Sequence, residues 1–133
     1  MNKQELISKM LHAADKFGID KYEVGAGGHL VMLGLRETTD DIDVSVSEKT
    51  FWRLVNENML PVKEIEDDIL LAPLTEDIDI HVKDGVCAEN IIEGVQCCTE
   101  KDTLLLKQTL NRSKDQEDIV KLKAYMQQHE EKA

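Results

Sequence analysis

The chain has 133 residues, with 16 Lys and Arg against 27 Asp and Glu, for a formal net charge of −11. That length suits one domain, 1–133, with its own core, and the acidity argues against generic nucleic-acid binding, whose affinity comes mainly from neutralising phosphates. No apolar run reaches the roughly 18 residues of a membrane span, the start MNKQELISKM lacks an apolar leader core, and three cysteines without metal-ligand spacing (Cys87, Cys97, Cys98) fit reduced thiols in a cytoplasmic protein. Leu6, Ile7, Met10, Leu11, Ala14 and Phe17 recur at helical spacing over residues 3–17, and Gly18 is placed to end that helix. Tyr22 to Gly25 reads as a short buried strand, and Gly27-Gly28 opens a helix through Leu33 before a loop of Gly34 and RETTD. Asp41 to Val46 alternates, with Ile42, Val44 and Val46 on one face and Asp41, Asp43 and Ser45 on the other. Ser47 caps a helix to Met59 whose Phe51, Trp52, Val55 and Met59 turn inward, and Pro61 closes it.

Two more strands, 65–72 and 77–82, are joined around Pro73-Leu74-Thr75. The second repeats the earlier pattern, with Ile78, Ile80 and Val82 opposite Asp77, Asp79 and His81. Residues 84–94 read as loop or short irregular strand, and 95–98 as a short apolar strand. Thr99 caps a helix to Asn111. Ser113-Lys114-Asp115-Gln116 forms a capping box for a last helix to about Gln128, which leaves 129–133 as a frayed tail. The mixture predicts an α/β (α+β) fold with a mixed sheet, antiparallel where the Pro73 connection turns the chain back.

Asp is among the residues that strands tolerate least, yet two strands each place two on one face. Solvent-facing strands would explain this blandly, but Thr, Lys or Ser would serve there at lower cost. Carboxylates gathered from neighbouring strands bind Mg²⁺ through oxygen, and such ions clamp an in-line phosphoryl displacement. The Gly27-Gly28 pair, set between a strand and a helix, lets backbone N–H groups approach an anion. It is neither the Walker loop nor the dinucleotide fingerprint. Arg36 reads equally as a loop charge, Lys107 as a lysine snorkelling from an apolar helix, and His29 and His81 as structural neighbours of the carboxylates.

The stretch GAGGHLVMLGLRETTDDIDVSV, residues 25–46, resembles the signature of the nucleotidyltransferase superfamily, the fold shared by DNA polymerase β and the minimal nucleotidyltransferases. Its RETTDDID, residues 36–43, is similar to the Arg-x-Thr-x-Asp-Ile-Asp form of the small bacterial and phage branch, which includes toxin-type and lincosamide-type members. TLLLKQTLNRSKDQEDIVKL, residues 103–122, resembles the helix–loop–helix that ends those proteins. The resemblance implies a metal-dependent enzyme that moves a nucleoside monophosphate from an NTP to a hydroxyl on a small molecule, a protein or a tRNA end. It implies Mg²⁺ or Mn²⁺ held by Asp41, Asp43 and a third carboxylate that also acts as base. Asp79, flanked by Ile78 and Ile80, fits that place, with Asp77 in reserve. Gly27 and Gly28 would hold the triphosphate, and Arg36 and Lys107 would contact phosphates. Two departures, a glycine where many active members have serine and a short chain, keep open a non-catalytic protein acting through a partner, as in toxin–antitoxin or phage–host pairs.

Overall fold

The computed structural model describes residues 1–65 and 69–131. Helix α1, Lys3–Phe17, starts at Asn2, whose side chain accepts from the Glu5 amide, and stops at Gly18 in the left-handed conformation. Strand β1, Glu23–Gly25, leads directly into α2, Ala26–Met32. Strand β2, Ile42–Val46, is followed by α3, Glu48–Asn58, capped by Ser47. Then come β3, Lys63–Ile65, β4, Ile69–Pro73, and β5, Ile78–Val82. Strands β6, Asn90–Ile92, and β7, Val95–Cys97, precede α4, Glu100–Leu110, which Thr99 caps. A 3₁₀ turn at Ser113–Asp115 leads into α5, Gln116–Glu131. No helix is long and apolar enough to cross a membrane among the described residues.

The seven strands form one mixed sheet in the order β3-β4-β5-β2-β1-β7-β6. β2 and β5 pair in parallel, β1 and β7 likewise, and the other pairings are antiparallel. Alternation divides the sheet's faces. Ile42, Val44, Val46, Ile78 and Ile80 are buried in one cluster with Leu6 and Met10 of α1 and Phe51 and Leu54 of α3. That burial drives the fold, since each such side chain contributes roughly 1.5–3 kcal/mol on leaving water. The opposite face carries Asp43, Ser45, Asp79 and His81. Over it, α4 packs against α2 and forms a hairpin with α5.

Several details depart from the sequence reading. The expected strand over 65–72 is a hairpin, β3 with β4, and its residues 66–68 lie outside the described residues. In α3 the inward stripe is Phe51, Leu54 and Val55; Trp52 is 37% exposed against the edge of Phe51, and Met59 is 90% exposed. Met59 follows the last helical residue in a left-handed conformation, which turns its side chain away from the stripe. In α1, Leu11 is exposed while Ala13 is buried. Ser113 is not the cap of α5; the Asp115 carboxylate accepts from the Arg112 amide instead, and the 3₁₀ turn comes between. Helix α5 continues through Glu131, past the expected end, and the remainder of the expected tail, 132–133, lies outside the described residues.

Candidate functional site

The parallel register sets Asp43 directly beside Asp79 and Ser45 beside His81. Side chains at such positions share a face about 4.8 Å apart across the strands. Asp41, just before β2, completes a cluster: one oxygen from each of Asp41, Asp43 and Asp79 lies within 4.8 Å of the others. None of the three carboxylates has an ion-pair partner among the described residues. The electrostatic consequence is visible in their acidities. Burial first, then Asp41 and Asp79, push the Asp43 carboxyl up to about 6, against the lowering pull of Lys107. Asp79 is raised by burial and then by Asp41. Asp77 stands apart from the cluster, where its carboxylate accepts from Lys9 Nζ at 2.6 Å.

The Gly-Gly pair divides its work. A Cβ on Gly27 would lie 2.6 Å from Arg36 Nη1 and 3.0 Å from Thr39 Oγ1, so the guanidinium fills the room that the missing side chain leaves. Thr39 in turn donates to the Asp41 carbonyl at 3.0 Å, which ties this loop to the first carboxylate. A Cβ on Gly28 would instead meet Val24 Cγ1 at 3.0 Å and Leu6 Cδ1 at 3.5 Å, in the core. Arg36 makes no ion pair among the described residues.

Lys107 does not snorkel to solvent. It is 4% exposed, and its ammonium donates to Asp115 at 3.1 Å and Asp118 at 3.3 Å. Asp115 is buried as well; the Arg112 guanidinium first, then Lys107, hold its carboxyl down at about 2 against the cost of burial. This network pins α4 to α5, and the Lys107 charge still reaches Asp43. His29 is wholly buried between α2 and α4. Its Nδ1 shares a hydrogen bond with Thr103 Oγ1 at 2.6 Å, while Nε2 has no hydrogen-bond partner among the described residues and lies 3.8 Å from a Glu100 oxygen. Burial lowers its pKa.

A second polar row continues beyond Asp43 and Asp79. Ser45 Oγ shares a 2.8 Å hydrogen bond with His81 Nε2, and Lys83 donates to Glu23 at 2.9 and 3.1 Å and to Asp102 at 3.2 Å. Sequence reasoning missed Lys83, although it is the next alternate residue after Asp79 and His81. Glu23, inside a short apolar run, gave no signal. Cys97 and Cys98 are buried thiols pushed up to about 12 by burial, which leaves them unreactive.

A solved structure of ANT(2″)-Ia in complex with adenylyl-2″-tobramycin is similar to this chain, with a TM-score of 0.61 and 19% identity over 92% of this chain and 88% of that one. No family model matches the chain, and no curated protein matches it. The likeness establishes the architecture: a mixed sheet flanked by helices in a nucleotidyltransferase-like fold.

Proposed function

We propose that this chain is a metal-dependent nucleotidyltransferase that moves a nucleoside monophosphate from an NTP to a hydroxyl acceptor. The observation that carries the reading is the convergence of Asp41, Asp43 and Asp79, unbalanced by any ion-paired cation among the described residues. The fold adds support, because the similar ANT(2″)-Ia structure holds adenylyl-2″-tobramycin, an adenylylated acceptor. Three carboxylate oxygens suit a hard, oxygen-seeking ion, so Asp41, Asp43 and Asp79 would hold Mg²⁺ or Mn²⁺. When bound, such an ion neutralises charge on the phosphates as the bond to the leaving group breaks.

The side chains do the rest. Asp79, fixed on β5 beside Asp43, takes the proton of the acceptor hydroxyl. The acceptor oxygen forms a bond to the α-phosphorus while the bond from that phosphorus to the bridging oxygen of the β-phosphate breaks. The electron pair leaves with pyrophosphate, and the nucleoside monophosphate stays on the acceptor as a phosphodiester. Arg36, seated over Gly27, holds the departing phosphates together with the backbone N–H groups of Gly27 and Gly28. Lys107 contributes through its field, fixed in place by Asp115 and Asp118.

Calorimetric titration of NTP with and without Mn²⁺, paired with transfer of labelled nucleotide to acceptors in a cell extract, tests this. The wild type is expected to bind nucleotide only with metal. Asp79→Asn is expected to lower transfer about 10²–10⁴-fold with the fold intact, and Asp77→Asn, bound to Lys9, to change it little. Nucleotide binding that ignores metal, or none, overturns the enzyme and leaves a non-catalytic binding protein as the better account.

A further inference from the structure

A cavity of about 660 Å³ opens at Gly25, Ala26 and Asp43 and runs along the polar face of the sheet under α4. That is within the range of roughly 300–1,000 Å³ seen for sites that enclose a small organic ligand. Its floor is Ser45, His81 and Lys83. Its two walls are aliphatic: Ile65, Ile69 and Leu71 from the β3–β4 hairpin, and Leu105, Leu106 and Leu110 from α4. Ile69 and Leu106 are each 44% exposed and Leu105 is 62% exposed, so apolar side chains face one another across open space. An exposed apolar patch of this kind marks a surface that a binding partner covers, and its concave form beside Asp43 suits a small ligand.

We infer that this cavity is the acceptor subsite, and that it takes an uncharged, largely apolar alcohol rather than a polycation. The inference rests on the transferase reading above. In-line displacement puts the attacking oxygen opposite the leaving pyrophosphate. Arg36, with Thr39 beside it, stands at the Asp41 end of β2 and does not line the cavity. The cavity lies beyond Asp43 in the other direction, past Ser45. Phosphates drawn to Arg36 therefore leave the cavity for the attacking group. Its charges point the same way. Apart from Asp43, the charged lining side chains among the described residues are Lys83 and Asp102, and these pair with each other while Lys83 also pairs with the buried Glu23. Among the described residues, the lining offers an ammonium-rich ligand no unpaired carboxylate outside the metal cluster. An apolar body would cover the leucine and isoleucine walls, and Ser45 with His81 would receive a single polar group.

The intact protein, with Mn²⁺ and a non-hydrolysable ATP analogue, is titrated with 2-(2-naphthyl)ethanol, read by its fluorescence, and separately with tobramycin. The alcohol is expected to bind saturably with a blue-shifted emission, and tobramycin not to bind. Leu106→Glu and Ile69→Glu, each placing a carboxylate on an apolar wall, are expected to weaken the alcohol about tenfold or more while metal–nucleotide binding persists. Absence of saturable alcohol binding overturns the assignment of class, as does saturable tobramycin binding. If Leu106→Glu abolishes nucleotide binding with an unchanged melting temperature, the cavity holds the nucleoside instead. Failure of the wild type to bind metal and nucleotide is a separate result; it removes the transferase reading, and the acceptor role with it.

Discussion

Asp43 is the residue on which folding and function pull apart. Its carboxyl titrates at about 6 in the fold against an ordinary value of 3.8, so the fold prefers it protonated. That preference stabilises the protein below about pH 4 and is lost as pH rises through 6. At pH 7.5 the ionised group is a cost, and Asp43→Asn is expected to raise stability by about 1–2 kcal/mol once solvent screening is allowed for. Melting curves at pH 7.5 and pH 4 check this: the advantage of the variant should vanish at the lower pH. The neighbouring glycines make a paired test. Gly27→Ala displaces chiefly the flexible head of Arg36, with Thr39 Oγ1 giving by a few tenths of an ångström, and is expected to weaken metal–nucleotide binding with little change in melting temperature. Gly28→Ala presses on Val24 and Leu6 and is expected to cost about 1–3 kcal/mol of stability. Equal effects of the two would show that Arg36 does not depend on the space above Gly27.

At the scale of elements, a buried ion network ties α4 to α5 alongside the buried Ile119 and Leu122 of α5. Asp115 sits well below its ordinary carboxylate value, so its contribution is present above about pH 4 and fades as pH falls toward 2. Removing it leaves Lys107 with Asp118 alone, and Asp115→Asn is expected to destabilise the protein by about 3 kcal/mol at pH 7, measured by urea unfolding. Strong periodicity made most elements legible in the sequence: the alternation at Ile42–Val46 and Ile78–Val82 gives the central strands, and Ser47 and Thr99 mark helix starts that the structure keeps. Short strands were legible only in part, because three residues such as Lys63–Ile65 or Asn90–Ile92 carry too little pattern and take their conformation from a partner strand. The clustering of Asp41, Asp43 and Asp79 was legible because aspartate is costly on a strand, whereas the pairing of Asp77 with Lys9 was not. The buried pairing of Lys107 was not, since an ammonium in a leucine-rich helix gives no sign of which acids will meet it across a turn. Nor were the cavity walls, whose leucines and isoleucines read as core until the topology sets them face to face.

The whole molecule gathers three carboxylates at one end of its central strands, and under the proposed function a bound cation would relieve their repulsion. An ion that binds the folded state alone stabilises it by mass action, about 2.7 kcal/mol at a hundredfold excess over Kd. Millimolar Mg²⁺ or Mn²⁺ is therefore expected to raise the melting temperature by several degrees over a chelator control at equal ionic strength, and Asp41→Asn to shrink that rise. The order in which the site comes together has its own consequence. β2 and β5 are parallel, and a parallel pair needs a crossover rather than a tight turn. Asp43 meets Asp79 only after α3 and the β3–β4 hairpin have been laid down between them. On the ribosome, the strand bearing Asp43 emerges well ahead of its partner, and α4 with Lys107 follows later still. A nascent chain thus carries an incomplete carboxylate cluster and no cleft until synthesis has delivered the far strand and helix.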